Sequence, residues 1–317
     1  MGRRPGLGDI EGGRLVKVGL TLGTNHAGVP SPEIFFTFID RVEQAGFDSL
    51  WVGDHVIWSS PHLEGLTALA MYVARTKRLT VGTAVLILPL RHPLLVARML
   101  GLMASLSNGR VVAGFGVGGE NVAEFEACGV PHRQRGQIMD ESLEVVRRLW
   151  TEDHVSHSGE HFRLEDVSLV PKPPNIPIWL GGRSEAAHHR AARCGDGWID
   201  VFSSPRHFAE GKKAIEGLGA KAGFEWVQLE YMHVSGSREH SKARTLEHLN
   251  CTYKGHFDER VERVAAFGPA ATIAERLHEF AEAGATHLII NPACPPEEKL
   301  EQLERIAADV LPLIRKM

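Results

Sequence analysis

Residues 110–136 read RVVAGFGVGGENVAEFEACGVPHRQRG. The apolar run Val111–Ala113 predicts a short strand. Gly114, Gly116, Gly118 and Gly119 follow, with Gly109 just before the strand. Glu120 and Asn121 come next, and a helical pattern is strongest over Gln137–Trp150. Two readings fit this run. Glycine lacks a Cβ and tolerates positive φ, so the backbone could approach a flat ligand closely. The same residues also suit a tight strand-to-helix turn with no ligand.

The place of this run along the chain separates two fold classes. Short apolar stretches at Lys17–Leu22, Asp48–Val52, Leu79–Leu88, Arg110–Ala113, Ile178–Leu180, Gly197–Val201, Glu225–Val234 and Thr286–Ile290 read as strands. Each is followed by helical periodicity, beginning with Ser31 as a cap, Pro32 in the first turn, and Ile34, Phe35, Phe38, Ile39 and Val42 on one face. Alternating strands and helices imply a parallel sheet covered by helices. An open doubly wound sheet would carry its nucleotide fingerprint in the first strand-to-helix turn. Here Gly23–Gly28 lacks GxGxxG, and the glycine runs follow strands four and five. The expected fold is therefore α/β, a (β/α)8 TIM barrel. It would span 16–317 as one domain with a loose tail at 1–15. Insertions are expected at about 153–177, with a small hairpin, and at about 235–266.

The 317 residues are 43% hydrophobic and 23% charged, which is ordinary globular composition. A net charge of −4 argues against general nucleic-acid binding. No apolar run approaches the roughly 20 residues of a membrane span, and the start lacks the apolar core of a secretory signal. Cys128, Cys194, Cys251 and Cys294 are far apart, which fits reduced thiols in a cytoplasm better than a disulfide frame or zinc site. None of the 17 histidines stands in HExxH, and no metal is expected.

In a barrel the chemistry sits where strands end. Asp54 and His55 follow strand two; a histidine there can hold or pass a proton near neutral pH, or the pair is an ordinary turn. Gly181, Gly182, Arg183 and Ser184 follow strand five and open a helix. That terminus suits an anion, phosphate above all, or is a plain cap. Glu120 is either an acid at the mouth or a first-turn residue favoured by the helix dipole.

Taken together, the runs DSLWVGDHV (48–56), TKRLTVGTAVLILPLRHP (76–93), LSNGRVVAGFGVGGENVAEFEACGVPHRQRG (106–136), PIWLGGRSEAAHHRAARCGDGW (177–198) and FGPAATIAERLHEFAEAGATHLII (267–290) resemble the luciferase-like monooxygenase superfamily. Within it the chain is most similar to enzymes that use the deazaflavin F420. The resemblance implies a barrel with an insertion and a cofactor phosphate near Gly181, Gly182, Arg183 and Ser184. It places Asp54 and His55 beside the ring, with Gly118 and Gly119 close by. It implies a bulge after strand three with a non-proline cis peptide at Ala84–Val85. His55 is the proton-handling candidate and Glu120 the second acid. Trp58 and Glu120 each stand about one position away from the pattern of the F420-dependent sugar-phosphate dehydrogenases. The implied function is hydride transfer between F420 and a small organic substrate. The alternative is an FMN-dependent monooxygenase served by a separate reductase; a third reading is a flavin-binding protein without turnover. A homodimer is the implied assembly.

Overall fold

The structure is a computed structural model that describes residues 16–23, 28–253 and 255–316. The tail at 1–15 and residues 24–27 of the first loop lie outside the described residues.

Eight parallel strands close on themselves: β1 (Lys17–Thr21), β2 (Ser49–Val52), β3 (Thr80–Thr83), β4 (Val111–Gly116), β5 (Ile178–Gly181), β6 (Gly197–Val201), β7 (Glu225–Val234) and β8 (His287–Pro292). Each pairs with the next in order, and β8 returns to β1 with Lys17 opposite His287. This is the (β/α)8 barrel that the strand count predicts. Strands buried on both faces read as near-continuous apolar runs, which is why short stretches such as SLWV form them.

The first helix, Pro32–Gln44, shows how the outer ring forms. Ser31 caps it, its hydroxyl accepting from Ile34 N at 3.3 Å, and Phe35, Phe38, Ile39 and Val42 are buried against the barrel. Inside the barrel two large rings fill the space. Trp51 and Trp179 stack at 4.8 Å between centroids, and their neighbours are correspondingly small. A Cβ on Gly82 would lie 2.4 Å from the Trp51 ring. Below them Ser49 bonds His287 at 2.7 Å and accepts from the Trp51 indole at 2.7 Å. Burial pushes the His287 imidazole down to about 3, so it is neutral.

Two segments leave the barrel. After the helix Arg135–Thr151, strands Val155–Ser158 and Arg163–Val167 form an antiparallel hairpin. After β7 comes a long helix, Arg238–Tyr253, then the strand Ala265–Gly268, which pairs with the far end of β7. β7 has ten residues, enough to pair with the barrel at its start and with this strand at its end.

The expected strand Leu79–Leu88 is interrupted. β3 ends at Thr83, the Ala84–Val85 peptide is cis, and Leu86–Ile87 pair separately with the end of β4. The cis bond lies at the position that the resemblance implies.

Candidate active site at the C-terminal mouth of the barrel

The loop after β2 is fixed by buried charge. Asp54 is 4% exposed and its two oxygens meet four donors. Arg91 reaches both, at 2.7 and 2.8 Å, Gly65 N donates at 3.2 Å, and Ile87 N donates at 3.1 Å. A bidentate guanidinium–carboxylate pair is among the stronger protein contacts, and it carries direction as well as energy. Asp54 thus ties the β2 end to the residues after the cis bond and to the helix Gly65–Arg75. The resemblance implies a place beside the ring for Asp54; its carboxylate is wholly engaged with protein donors. Burial works against the charge of Arg91, but Asp54 and Glu64 hold its pKa above the ordinary value.

His55 projects from this loop, half-buried. Its Nδ1 lies 3.1 Å from Glu124 Oε2, and Glu124 is 1% exposed. The other oxygen of Glu124 accepts from Val56 N at 2.5 Å and Ile57 N at 3.1 Å. Glu124 therefore holds both the loop and the imidazole, and orients Nδ1 so that Nε2 is the ring atom left for chemistry. His55 also stacks on Trp58 at 4.1 Å, and the Trp58 indole donates to Thr252 O at 2.8 Å. That bond joins the loop to the helix Arg238–Tyr253. His62 stands edge-on to His55 at 4.9 Å, and burial, helped by His55, pushes its pKa down to about 4.

The acid expected at the mouth was Glu120. It is an exposed turn residue, and Glu124, one helical turn further on, occupies the place beside His55. The correction has a local cause. The backbone turns at Gly118 (φ 60°) and Gly119 (φ 126°), and the short helix Val122–Ala127 then directs Glu124 and Phe125 inward. The signal in the sequence was the adjacency of Glu124 to Phe125 on the buried side of that helix.

The glycines of β4 serve packing before they serve a ligand. A Cβ on Gly114 would lie 1.8 Å from Thr83 O, and one on Gly116 would lie 2.5 Å from Val85 Cγ2. At Gly118 and Gly119 the added atom would meet Ile87 at 2.8 Å and Arg135 at 2.8 Å. These glycines let β4 lie directly against the cis bulge. Ala84 and Val85 stay half-buried at the barrel centre.

The strand-five motif opens on a cleft of about 650 Å³. Ser184 caps the helix Glu185–Cys194, its hydroxyl accepting from Ala187 N at 3.2 Å. Ser204 caps the helix Pro205–Gly217 in the same way, so two helix N-termini face one space. Arg183, His207 and Arg263 line it as well, which suits an anion. Arg183 donates to Phe202 O at 3.0 Å, and Trp198 donates to Gly182 O at 2.8 Å. Asp200 lies at the cleft, 1% exposed, and burial pushes its carboxyl up to about 6. Gly181 connects this cleft to the mouth: a Cβ there would be 3.1 Å from Val85 Cγ1.

Among the described residues no cluster of three or more His, Cys, Asp or Glu side chains could hold a metal ion. Also among them, no helix is long and apolar enough to cross a membrane. None of the four cysteines, all among the described residues, is in a disulfide.

Comparison with known proteins agrees with this architecture. The chain is 28% identical to an F420-dependent glucose-6-phosphate dehydrogenase of Amycolatopsis mediterranei (strain U-32), covering 96% of this chain and 100% of that protein. It is 25% identical to a 5,10-methylenetetrahydromethanopterin reductase of Archaeoglobus fulgidus, covering 88% and 95%. Among solved structures, an F420-dependent secondary alcohol dehydrogenase in complex with an F420–acetone adduct superposes with a TM-score of 0.79 at 20% identity, covering 95% of this chain and 99% of that one. The luciferase-like monooxygenase family matches residues 17–233, from the start of β1 into β7. With that match, and with the closed barrel and its mouth in place, the chain belongs to the luciferase-like monooxygenase family.

Proposed function

We propose that this enzyme is an F420-dependent oxidoreductase acting on a small organic substrate. The observation that carries the reading is the His55–Glu124 pair: a histidine positioned by a buried carboxylate on the rim of the barrel. The cis peptide Ala84–Val85 joins that rim to the Gly181–Ser184 cleft through Val85. The F420 dependence of relatives aligned over nearly their whole length supports the choice of cofactor.

The residues fit such a group. Gly181, Gly182, Arg183, Ser184 and the two helix N-termini would hold its phosphate, and Ala84–Val85 would back its ring. Bound F420 supplies two-electron hydride chemistry at C5 of the deazaflavin. The chain's own work is then to bind, orient and move a proton. His55 Nε2 holds or delivers that proton, and Glu124 fixes the orientation of the imidazole. Trp58 covers one face of the imidazole and limits access of water to it.

Calorimetric titration with F420 and FMN, oxidised and reduced, tests the cofactor. F420 is expected to bind tightly and FMN weakly. Tight binding of reduced FMN instead would move the enzyme to the oxygen-using monooxygenases with a partner reductase. His55→Ala is expected to lower turnover by roughly 10²–10⁴ with F420 affinity retained. Full turnover in that variant removes the histidine from the reaction.

A further inference from the structure

We infer that the mouth of the barrel takes a flat, uncharged aromatic molecule whose reacting oxygen is a hydroxyl or carbonyl, held between a wall of rings and the Asn291–Tyr231–Tyr253 side chains. The inference rests on the redox reading above and names the substrate class of that same site.

The wall is continuous across the mouth. It starts at His55 and Trp58 on the β2 loop. Trp58 meets Tyr253 edge-on at 6.2 Å, and Tyr253 meets Phe202 edge-on at 5.2 Å. Phe202 stacks on Tyr231 at 5.1 Å with only 3° between the planes. Trp58, Phe202 and Tyr253 are half-buried, so their rings retain exposed surface at the mouth. Such rings pair with one another and with a flat guest through offset and edge contacts. Phe202 adopts a left-handed backbone, φ 55°, which a bulky residue holds only when its surroundings impose it. That conformation turns its carbonyl to Arg183 and its ring to Tyr231.

The polar side of the site is neutral. The Tyr231 hydroxyl pairs with that of Tyr253, and Asn291 is the register partner of Tyr231 on β8. Asn291 Oδ1 has no partner, although the residue is 3% exposed. That oxygen is a buried acceptor awaiting a donor. Leaving such an acceptor unmet is unfavourable by about 1–3 kcal/mol, and a ligand hydroxyl would meet it. A Cβ at Gly23, just past the end of β1, would lie 2.3 Å from that oxygen, so any larger residue there would crowd it. Thr252 Oγ1, on the helix that carries Tyr253, is also buried without a partner. It can donate to a carbonyl or accept from a hydroxyl. Among the described residues, Arg260 lies over the Phe257 ring at 4.0 Å and Glu124 is on His55, while Arg183 and Arg263 face the cleft beyond Phe202. A sugar phosphate at the wall would compete for those two cations with the anion that the cleft takes.

Calorimetry on the full chain, with and without F420, tests this with 1-tetralol, 1-tetralone and glucose 6-phosphate. The wild type with F420 is expected to bind the tetralol and the tetralone, and to bind glucose 6-phosphate far more weakly. Asn291→Leu is expected to weaken tetralol binding roughly tenfold or more, the loss of one buried hydrogen bond. Tyr253→Phe should weaken both aromatic ligands several-fold. F420 affinity should stay unchanged in both variants. If Asn291→Leu does not fold, Tyr253→Phe alone decides. Preference for glucose 6-phosphate, or tetralol binding equal to wild type in the folded variants, overturns the inference. Tetralol binding by a chain that fails to bind F420 supports the pocket while removing the cofactor reading. F420 binding without either aromatic ligand overturns the pocket alone.

Discussion

The rim after β2 and the cleft after β5 both form where barrel strands end, and they are held by different means. The rim is held by buried side chains from distant parts of the chain. Asp54 is clasped by Arg91, 37 residues away, Glu124 holds His55 across 69 residues, and Trp58 reaches Thr252 across 194. The cleft is held by backbone and by contacts close in sequence, with each cap serine accepting from an N–H three residues on. The first arrangement can set the position of an imidazole to within a hydrogen bond. It also fails as a unit. The second tolerates the loss of any one side chain, because helix amides remain. Proton handling requires the first kind of precision, and holding an anion requires only the second.

The largest expected effect follows from breaking the rim's clasp. Arg91→Met leaves Asp54 buried and uncompensated, and should lower unfolding stability by about 3–5 kcal/mol. The denaturant midpoint measures it; a loss under about 1 kcal/mol would place the rim's rigidity elsewhere.

Next in size is the contrast between two acids four positions apart. Glu124→Gln keeps the shape and an acceptor for Val56 N and Ile57 N but removes the charge beside His55. Loss of a charge-assisted bond is worth about 1.5–3 kcal/mol, so turnover should fall roughly tenfold to a hundredfold. Glu120→Gln should leave turnover within about twofold, since exposed sites rarely matter by more than about 0.5 kcal/mol. Steady-state rates on the two variants decide which carboxylate serves the histidine; a larger loss at Glu120 would reverse the assignment.

A smaller loss than that of Glu124→Gln belongs to the cleft. Ser184→Ala removes one cap, about 1 kcal/mol of stability, and should weaken F420 binding by less than about tenfold because the helix amides persist. A loss as large as that of Arg91→Met would mean that the cleft, too, depends on side chains.

The same difference explains what could be read from the sequence. The eight strands, the capped first helix and the GGRS cleft are local patterns, and each was legible from a dozen neighbouring residues. So was the break at Ala84–Val85, through resemblance. The partner of Asp54 was not, because nothing in LPLRHP marks Arg91 as the residue that returns to β2. Glu124 was missed for a related reason. Glycines at 118 and 119 drew attention to the acid directly after them, whereas their turn aims the following helix so that its second acid points inward. Of the two readings of the glycine run, close approach to a ligand or a tight turn, neither foresaw that Gly114 and Gly116 make room for Thr83 and Val85.

One consequence concerns light rather than binding. The chain has six tryptophans. Trp51, Trp150, Trp179, Trp198 and Trp226 are buried, and Trp58 alone is half-exposed. A small neutral quencher such as acrylamide would therefore reach one indole far sooner than the others. The red edge of the emission is expected from Trp58, which would give the protein its own optical reporter at the mouth of the barrel.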